Sequence, residues 1–465
     1  YQAYADLNID TLINDAKARD LLFSPIVTCT IDHIIQVSEC KRGGRYIAPM
    51  LRLLSSDLIL DEPDDFDQND LPALARLVHL AGVFGSRVLL SSATLTPDLM
   101  AGLFEAYLAG REIFNQSQNK AKPKVVCAWF DEQPKAITSV ACASLDDFTT
   151  NHDKFIQKRL KYLGEQPIRR KADILPVQLN YSHEKPERFF TALGNVIVKG
   201  ATILHERYHI TDNTTQKAVS IGLVRIANIT NITQLSINLL QHCEIPNDTH
   251  IHLACYHAKQ VLILRNSLET KLDRILKRKT DDNQTIFTHT EISKALTLSP
   301  AKNHIFIVLA TPVAEVGRDH DYDWAIVEPS SMRSIIQLAG RVWRHRPDLE
   351  ATNSNLLILQ YNLRLLKNKK PVFVYPGFET HKFKPVNYDV TNLIPTCQLE
   401  QVDAKPRIQS DKNLSVDTGH ICNLGRAYHE YKAIASRANL PLTPDHERAF
   451  GTNGELAEEG IAWRI

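Results

Sequence analysis

No two cysteines in this chain form a CxxC pair. The eight are dispersed, and the nearest two, Cys29 and Cys40, stand eleven residues apart. That spacing excludes zinc-knuckle ligand sets and fits a reducing, cytoplasmic setting better than a disulfide scaffold. No apolar run approaches the roughly 18 residues of a membrane span, so no membrane partner is expected. No signal peptide is visible. Net charge is also missing: 54 basic and 53 acidic residues leave +1. A nucleic-acid site, if there is one, has to be a local groove. No GxxxxGK[ST] occurs anywhere, so no phosphate-cradling P-loop can be assigned. His152-Asp153 is a lone pair, and Asp319-His320-Asp321 has no second His-Asp pair at metal-binding spacing. The chain begins at Tyr1 without a methionine and ends at Trp463-Arg464-Ile465 in mid-pattern, as a fragment of a longer polypeptide would.

What is present suffices for two to four ordinary domains: 465 residues, 43% hydrophobic and 23% charged. Residues 1–24 read as a helix, and Val27 to Ile31 as a short strand with Asp32 capping a following helix. Arg45 to Leu54 and Asp70 to Val83 read as helices. Leu58-Ile59-Leu60 and Val88-Leu89-Leu90 are short apolar runs of the buried parallel-strand kind. From about Lys120 to Ser182 the pattern loosens, with a strand at Val125 to Phe130, a helix at Asp146 to Leu163 and a polar connection, QPIRRKADILP. A helix from Pro186 to Ile210 follows, weakened by Gly194 and Gly200. Strands then alternate with helices: Ile221 to Ala227, His250 to Tyr256, Ile305 to Ala310 and Trp324 to Val327, with helices at Thr233 to Cys243 and Gln260 to Lys279. That rhythm indicates an α/β fold with a parallel sheet. Residues 367–412 read as linker and Asn423 to Arg437 as a helix; His420, Cys422 and His429 are taken as structural.

Five segments carry chemistry. Thr28 and Thr30 alternate with apolar neighbours. They suit either a grip on a phosphate backbone or plain strand propensity. Asp61-Glu62-Pro63-Asp64-Asp65 crowds carboxylates at the mouth of an apolar strand. A surface turn could do the same, but the strand in front favours a divalent cation, which offsets their repulsion. Glu62 then stands where it could activate a water. Ser91-Ser92-Ala93-Thr94 is a small hydroxyl-bearing turn, read either as a loop or as a sensor of a γ-phosphate. The loop after Ala310 holds Thr311, Pro312, Glu315, Gly317, Arg318 and Asp319, with Gly317 permitting positive φ or a tight approach. Ser331 to Arg346 reads as one helix that places Gln337, Arg341 and Arg344 on a single face, a surface suited to polyphosphate.

Taken in order, TCTID, LILDEPD, SSATLT, ATPVAEVGRD and QLAGRVWRHR resemble motifs Ib, II, III, V and VI of superfamily 2 helicases. DEPDDF, GLVRIANIT, HLACYHAKQVLILR and the pairing of AEVGRDHDYDW with QLAGRVWRHR resemble the helicase-nuclease of type I CRISPR systems, subtype I-F above all. The resemblance covers about Ser24 to Arg346. It implies two RecA-like lobes, the first incomplete over residues 1–125, a connection over 126–182, the second lobe over 183–366, and a linker with the start of an accessory domain over 367–465.

It also implies that the lobes close on ATP and magnesium. Asp61 and Glu62 would place the metal and the water, and Arg341 and Arg344 would stabilise the transferring phosphoryl group. Asp64, Ser92, Thr94, Gly317, Asp319 and Gln337 would line the nucleotide, while Thr28, Thr30, Thr311 and Pro312 would track single-stranded DNA. The implied partners are that DNA and a crRNA-guided surveillance complex, with a Cas1-like integrase and phage anti-CRISPR proteins beyond them. In the family, a P-loop and an HD nuclease lie ahead of Thr28, and neither is found here. Truncation accounts for both, and the fragment alone is expected to bind ATP poorly and hydrolyse little. The same gap motivates a rival reading, a non-catalytic module of a split or degenerate helicase. An RNA-remodelling helicase of the DEAD-box kind is disfavoured by DEPD.

Overall fold

The computed structural model describes residues 16–39, 46–66, 71–133, 137–278, 283–315, 317–380, 384–409 and 421. The expected helix at Asn423 to Arg437, with His420, Cys422 and His429, lies outside them. They form two compact units, one up to Lys161 and one over Tyr162–Arg407. Among the described residues no helix is long and apolar enough to cross a membrane.

The first unit opens with helices α1 (Ala16–Phe23) and α2 (Ile47–Ser55). Strands β1 (Leu58–Asp61) and β2 (Val88–Ser91) pair in parallel, with Leu58 opposite Val88 and Asp61 opposite Ser91. Leu58 and Leu60 are buried, but Ile59, on the other face, is 68% exposed. The apolar run suggested a strand covered on both sides, and only one side is covered by described residues. Helices α3 (Leu71–Phe84) and α4 (Pro97–Ser117) pack directly together, and His79 Nδ1 lies 3.0 Å from the Ala106 carbonyl. Pro97 opens α4 at a position where its missing N–H costs nothing.

A hairpin, β3 (Val125–Trp129) and β4 (Thr138–Cys142), packs with α5 (Leu145–Glu165) around Phe104, Trp129, Cys142 and Phe148. His152 belongs to that core. It lies 3.0 Å from Trp129 Nε1, and burial pushes its pKa down to about 4. It is a packing histidine, in keeping with its lack of a partner pair in the sequence.

The second unit is built on a seven-stranded sheet in the order β5 (Ala172–Leu175), β11 (Leu356–Leu359), β10 (Trp324–Val327), β7 (Ala218–Arg225), β9 (Asn303–Ala310), β8 (Thr249–Tyr256). These run parallel, and the short β6 (Ile210–Thr211) pairs antiparallel with β7. Helix α6 (Pro186–Tyr208) buries Phe189, Leu193, Ile197 and Ala201, spaced by four, against the sheet and α7 (Ile229–Gln241). It runs unbroken through Gly194 and Gly200, because that packing outweighs the helix cost of glycine. Helices α8 (Leu262–Ile275), α9 (Thr290–Leu298) and α10 (Met332–Ala339) complete the alternation.

Over residues 126–182 the expected strand and helix are present as β3 and α5, and β4 and β5, which pairs with β11, are added to them. Part of 367–412 is packed as well. Val372, Phe373, Val390 and Leu393 are buried, and the Val372 and Phe373 amides donate to Glu379 at 2.8 and 2.7 Å.

The indole of Trp324 lies on Gly222, where an added Cβ would stand 2.2 Å from the ring. Its Nε1 donates to Ser220 Oγ at 3.0 Å, which holds the ring in place. Gly222→Ala therefore overpacks the sheet and should cost about 1–3 kcal/mol. The check is the melting temperature of the variant; a value equal to the parent's would contradict the close approach.

Candidate active-site elements in the two units

In the first unit the carboxylates stand where β1 runs out. Asp61 is its last residue and is exposed. Glu62 still extends the ladder, its N–H reaching the Ser91 carbonyl at 2.7 Å, but its φ of 50° and ψ of 50° are left-handed. A glutamate rarely holds that conformation without support. Support comes from the Pro63–Asp65 turn and from β2's exit. Ser92 Oγ lies 2.8 Å from Glu62 Oε2 and 2.9 Å from Asp64 Oδ1. Thr94 Oγ1 donates to Asp64 Oδ2 at 2.8 Å. Asp64 and Thr94 are fully buried. Ser92 has one hydroxyl proton for two carboxylates, so any shift in the acidic turn re-partners it. Ser92 and Thr94 hold the acids in place, a role the sequence did not specify.

The expected strand at Val27 to Ile31 is not formed. Residues 27–30 are irregular, and a 3-10 turn follows at Ile31–His33. β-branched alternation marks a strand only where a neighbour supplies the ladder, and β1 pairs here with β2. Thr28 and Thr30 are exposed. The segment before them is held by Arg52, whose Nη1 donates to the Ser24 carbonyl at 2.6 Å.

In the second unit the elements converge beyond the carboxyl ends of β7, β9 and β10, the side of a parallel sheet where ligands bind. Glu315 is the hub. Its carboxylate pairs with Arg225, the last residue of β7, at 2.7 Å, the two side chains being 2% and 0% exposed. Ser334 Oγ lies 2.8 and 2.9 Å from its two oxygens. Its backbone carbonyl takes Arg341 Nη2 at 2.6 Å. Arg341 is 8% exposed, and its Nη1 is buried without a hydrogen-bond partner. Burial pulls this guanidinium's pKa down and the charge of Arg344 adds to that, while Tyr322, Asp319 and Glu315 oppose it. Such an orphaned donor suits an anionic oxygen.

The single helix expected over 331–346 is overturned. Helix α10 ends at Ala339, with Gly340 as its C-cap. Val342 then bridges in parallel to Tyr322: the Arg341 carbonyl accepts from the Tyr322 N–H at 2.9 Å, and the Trp343 N–H reaches the Tyr322 carbonyl at 3.1 Å. Trp343 has φ 51° and packs edge-on against Tyr208. Gln337 alone of the three is on the helix; Arg341 and Arg344 sit on the turn that follows. Arg344 pairs with Asp319 at 2.7 Å, the side chains being 42% and 49% exposed. His345 Nε2 lies 2.8 Å from the same carboxylate. An exposed pair of this kind contributes about 0.2–1 kcal/mol, so a phosphate can take the guanidinium from Asp319.

Gly317 has φ 69° with open space around its Cβ position, so backbone conformation is what calls for glycine. Thr311 is buried and Pro312 half-buried. His320 pairs with Asp273 at 2.8 Å, and no group of three or more His, Cys, Asp or Glu among the described residues could hold a metal. Arg225, Ser334, Asp321 and Asp323 escaped sequence reading, because their partners lie far along the chain.

Residues 218–347 match the family model for the C-terminal part of the CRISPR-associated nuclease/helicase Cas3. The chain is 47% identical over 390 residues to the CRISPR-associated nuclease/helicase Cas3 subtype I-F/YPEST of Pseudomonas aeruginosa, and 43% over 394 residues to that of Pectobacterium atrosepticum. Each match covers 83% of this chain and 36% and 35% of the relative, so the chain spans about a third of their length. A crystal structure of T. fusca Cas3 with ADP superposes with a TM-score of 0.52, covering 93% of this chain and 43% of that one. At 14% identity, that likeness is one of fold. Residues 218–347 thus carry the C-terminal Cas3 family domain, and over the part of the relatives it spans the chain is similar to the subtype I-F Cas3 nuclease/helicases.

Proposed function

We propose that the chain is the ATP-driven translocase portion of a CRISPR-associated helicase-nuclease, one that draws single-stranded DNA towards a nuclease after recruitment by a crRNA-guided surveillance complex. Contacts with a Cas1-like integrase and with phage anti-CRISPR proteins are finer expectations of the same reading. The observation that supports it most is Arg341, a buried guanidinium anchored to the Glu315 carbonyl with a second donor left unmatched.

Arg341 and Arg344 contact the phosphates from the second unit, with Gln337 beside them. Asp319 releases Arg344 when a triphosphate competes for it, and Gly317 supplies the turn between Glu315 and Asp319. In the first unit Glu62 orients the attacking water, and Asp64, Ser92 and Thr94 hold its backbone and carboxylate in register. Asp61 and Glu62 are the residues that would hold magnesium. Two carboxylates with substrate phosphates and waters are the donor set that ion favours, and the described residues offer no larger cluster. When bound, the ion neutralises phosphate charge. Thr28 and Thr30, exposed on their loop, and Thr311 with Pro312 at the exit of β9, track the DNA backbone without base readout.

The test is ATP hydrolysis by the full-length protein with no nucleic acid, single-stranded DNA or single-stranded RNA. The expected result is turnover stimulated by DNA. Tight DNA binding without turnover would establish the non-catalytic module, and stimulation by RNA alone the RNA-remodelling class.

A further inference from the structure

We propose that Arg346 and Arg170 are positioning residues for the loop carrying Arg341 and Arg344: Arg346 clamps the loop onto Asp321 and Asp323, and Arg170 holds the carbonyl of Val342. The proposal rests on the ATP reading above.

Arg346 follows Arg344 by two residues, and sequence alone gives no reason to treat it differently. The structure separates them. Arg344 points to the surface, whereas Arg346 turns inward, its Nη2 lying 2.6 Å from Asp321 Oδ1 and 2.8 Å from the Tyr322 carbonyl, and its Nη1 2.9 Å from Asp323 Oδ1. Both acceptors are fully buried and themselves fixed. Asp323 accepts the Ile221 amide at 2.7 Å and pairs with Arg278. Asp321 accepts the His345 amide at 3.0 Å, and its own N–H donates to the Leu276 carbonyl at 3.0 Å. The planar fork of one guanidinium therefore ties the end of the arginine loop, through these carboxylates, to β7 at Ile221 and to the chain beyond α8.

The other side of the loop has a separate tie. Arg170 Nε donates to the Val342 carbonyl at 3.1 Å. Val342 adjoins Arg341, and Arg170 lies in the short peptide between α5 and β5. Past Gly340 only two tighter i→i−3 bonds continue, from the Arg341 N–H to the Leu338 carbonyl at 2.8 Å and from the Val342 N–H to the Ala339 carbonyl at 3.0 Å, and the loop then contains a left-handed tryptophan. Such a conformation persists only where its surroundings over-determine it. Arg346, Arg170 and the Tyr322 bridge are those surroundings. Movement of the 166–171 peptide would reach Arg341 through a single hydrogen bond.

The experiment is single-stranded-DNA-stimulated ATP hydrolysis by the full-length protein carrying Arg346→Lys or Arg170→Gln. Lysine keeps the charge but cannot span two carboxylates. In each variant kcat should fall roughly 10- to 100-fold, the cost of misplacing catalytic groups by an ångström or less. KM for ATP should stay within about twofold, because the lost interaction acts mainly in the transition state. The variants should remain folded at the assay temperature with parent-like DNA affinity, although Arg346→Lys, which leaves one buried carboxylate short of a donor, should lower the melting temperature. Millimolar guanidinium should restore part of the turnover of Arg346→Ala. Parent-like kcat in both lysine and glutamine variants, or a loss of kcat that only follows a loss of folded protein, overturns the proposal. A parent that does not hydrolyse ATP takes down the ATP reading and this proposal together. An active parent with normal variants takes down this proposal alone.

Discussion

Arg341→Ala in the full-length protein should lower ATP turnover by about 10³-fold or more, the scale on which arginines act in phosphoryl transfer. Single-stranded DNA affinity should be little changed. The expectation comes from where the two ends of the guanidinium go. Nη2 is spent on the Glu315 carbonyl at 2.6 Å, which fixes the plane of the group. Nη1 is buried and unmatched. A buried donor left without a partner costs about 1–3 kcal/mol, more when charged, and a bound γ-phosphate oxygen removes that cost. The group thus gains most when the phosphate carries most charge, which is the requirement for catalysis rather than for ground-state binding. Arg341→Lys should recover little, since an ammonium cannot bond the carbonyl and a phosphate in one plane. Steady-state hydrolysis and DNA-binding anisotropy, measured on the same preparations, check both halves. Parent-level turnover in Arg341→Ala would remove Arg341 from the reaction.

Four parallel strands of the second unit, β7 to β10, were legible because a strand buried on both faces must be apolar along its length, whereas β5 and β11 were not read. Trp324–Val327 was bounded correctly from composition alone, and β9 to within two residues at one end. The arginine segment misled for a related reason. Val342 and Trp343 continue a helical apolar period past Gly340, yet one is there to bridge Tyr322 and the other to pack on Tyr208. Periodicity registers burial and does not say which backbone produces it. Thr28 and Thr30 show the converse: alternation without a neighbouring strand leaves an exposed loop. The acidic turn was found from local crowding of charge. Its hydroxyl supports were found only as a separate turn, since nothing local connects Asp64 with Ser92 and Thr94. Arg225 was invisible. An arginine ending an apolar strand declares itself only when a carboxylate 90 residues away is seen beside it.

That arginine sets the largest expected effect on stability. Arg225→Met removes the counter-charge of Glu315 in a site where the two side chains are 0% and 2% exposed, and breaking a buried pair from one side costs about 3–5 kcal/mol. A second carboxylate makes the loss worse. Glu328 is buried at the end of β10, accepting the Ala227 and Leu363 amides at 2.7 and 2.9 Å. Burial raises its pKa, while those amides and the charge of Arg225 oppose the rise. Without Arg225 the pKa of Glu328 climbs further.

A carboxyl whose folded pKa lies above its unfolded value binds more protons in the folded state. Its contribution to stability is therefore lost as pH rises through that window. The deficit of Arg225→Met should thus be largest at neutral and alkaline pH and should shrink below the raised pKa of Glu328. Arg225→Met with Glu315→Met should recover part of the loss, because the pair leaves together, but Glu328 keeps recovery incomplete. Amide hydrogen exchange in β7 and β9 of the full-length protein, at acidic and neutral pH, reads this directly. A deficit independent of pH, or a double variant no better than the single, would show that Arg225 holds the sheet by packing and not by charge.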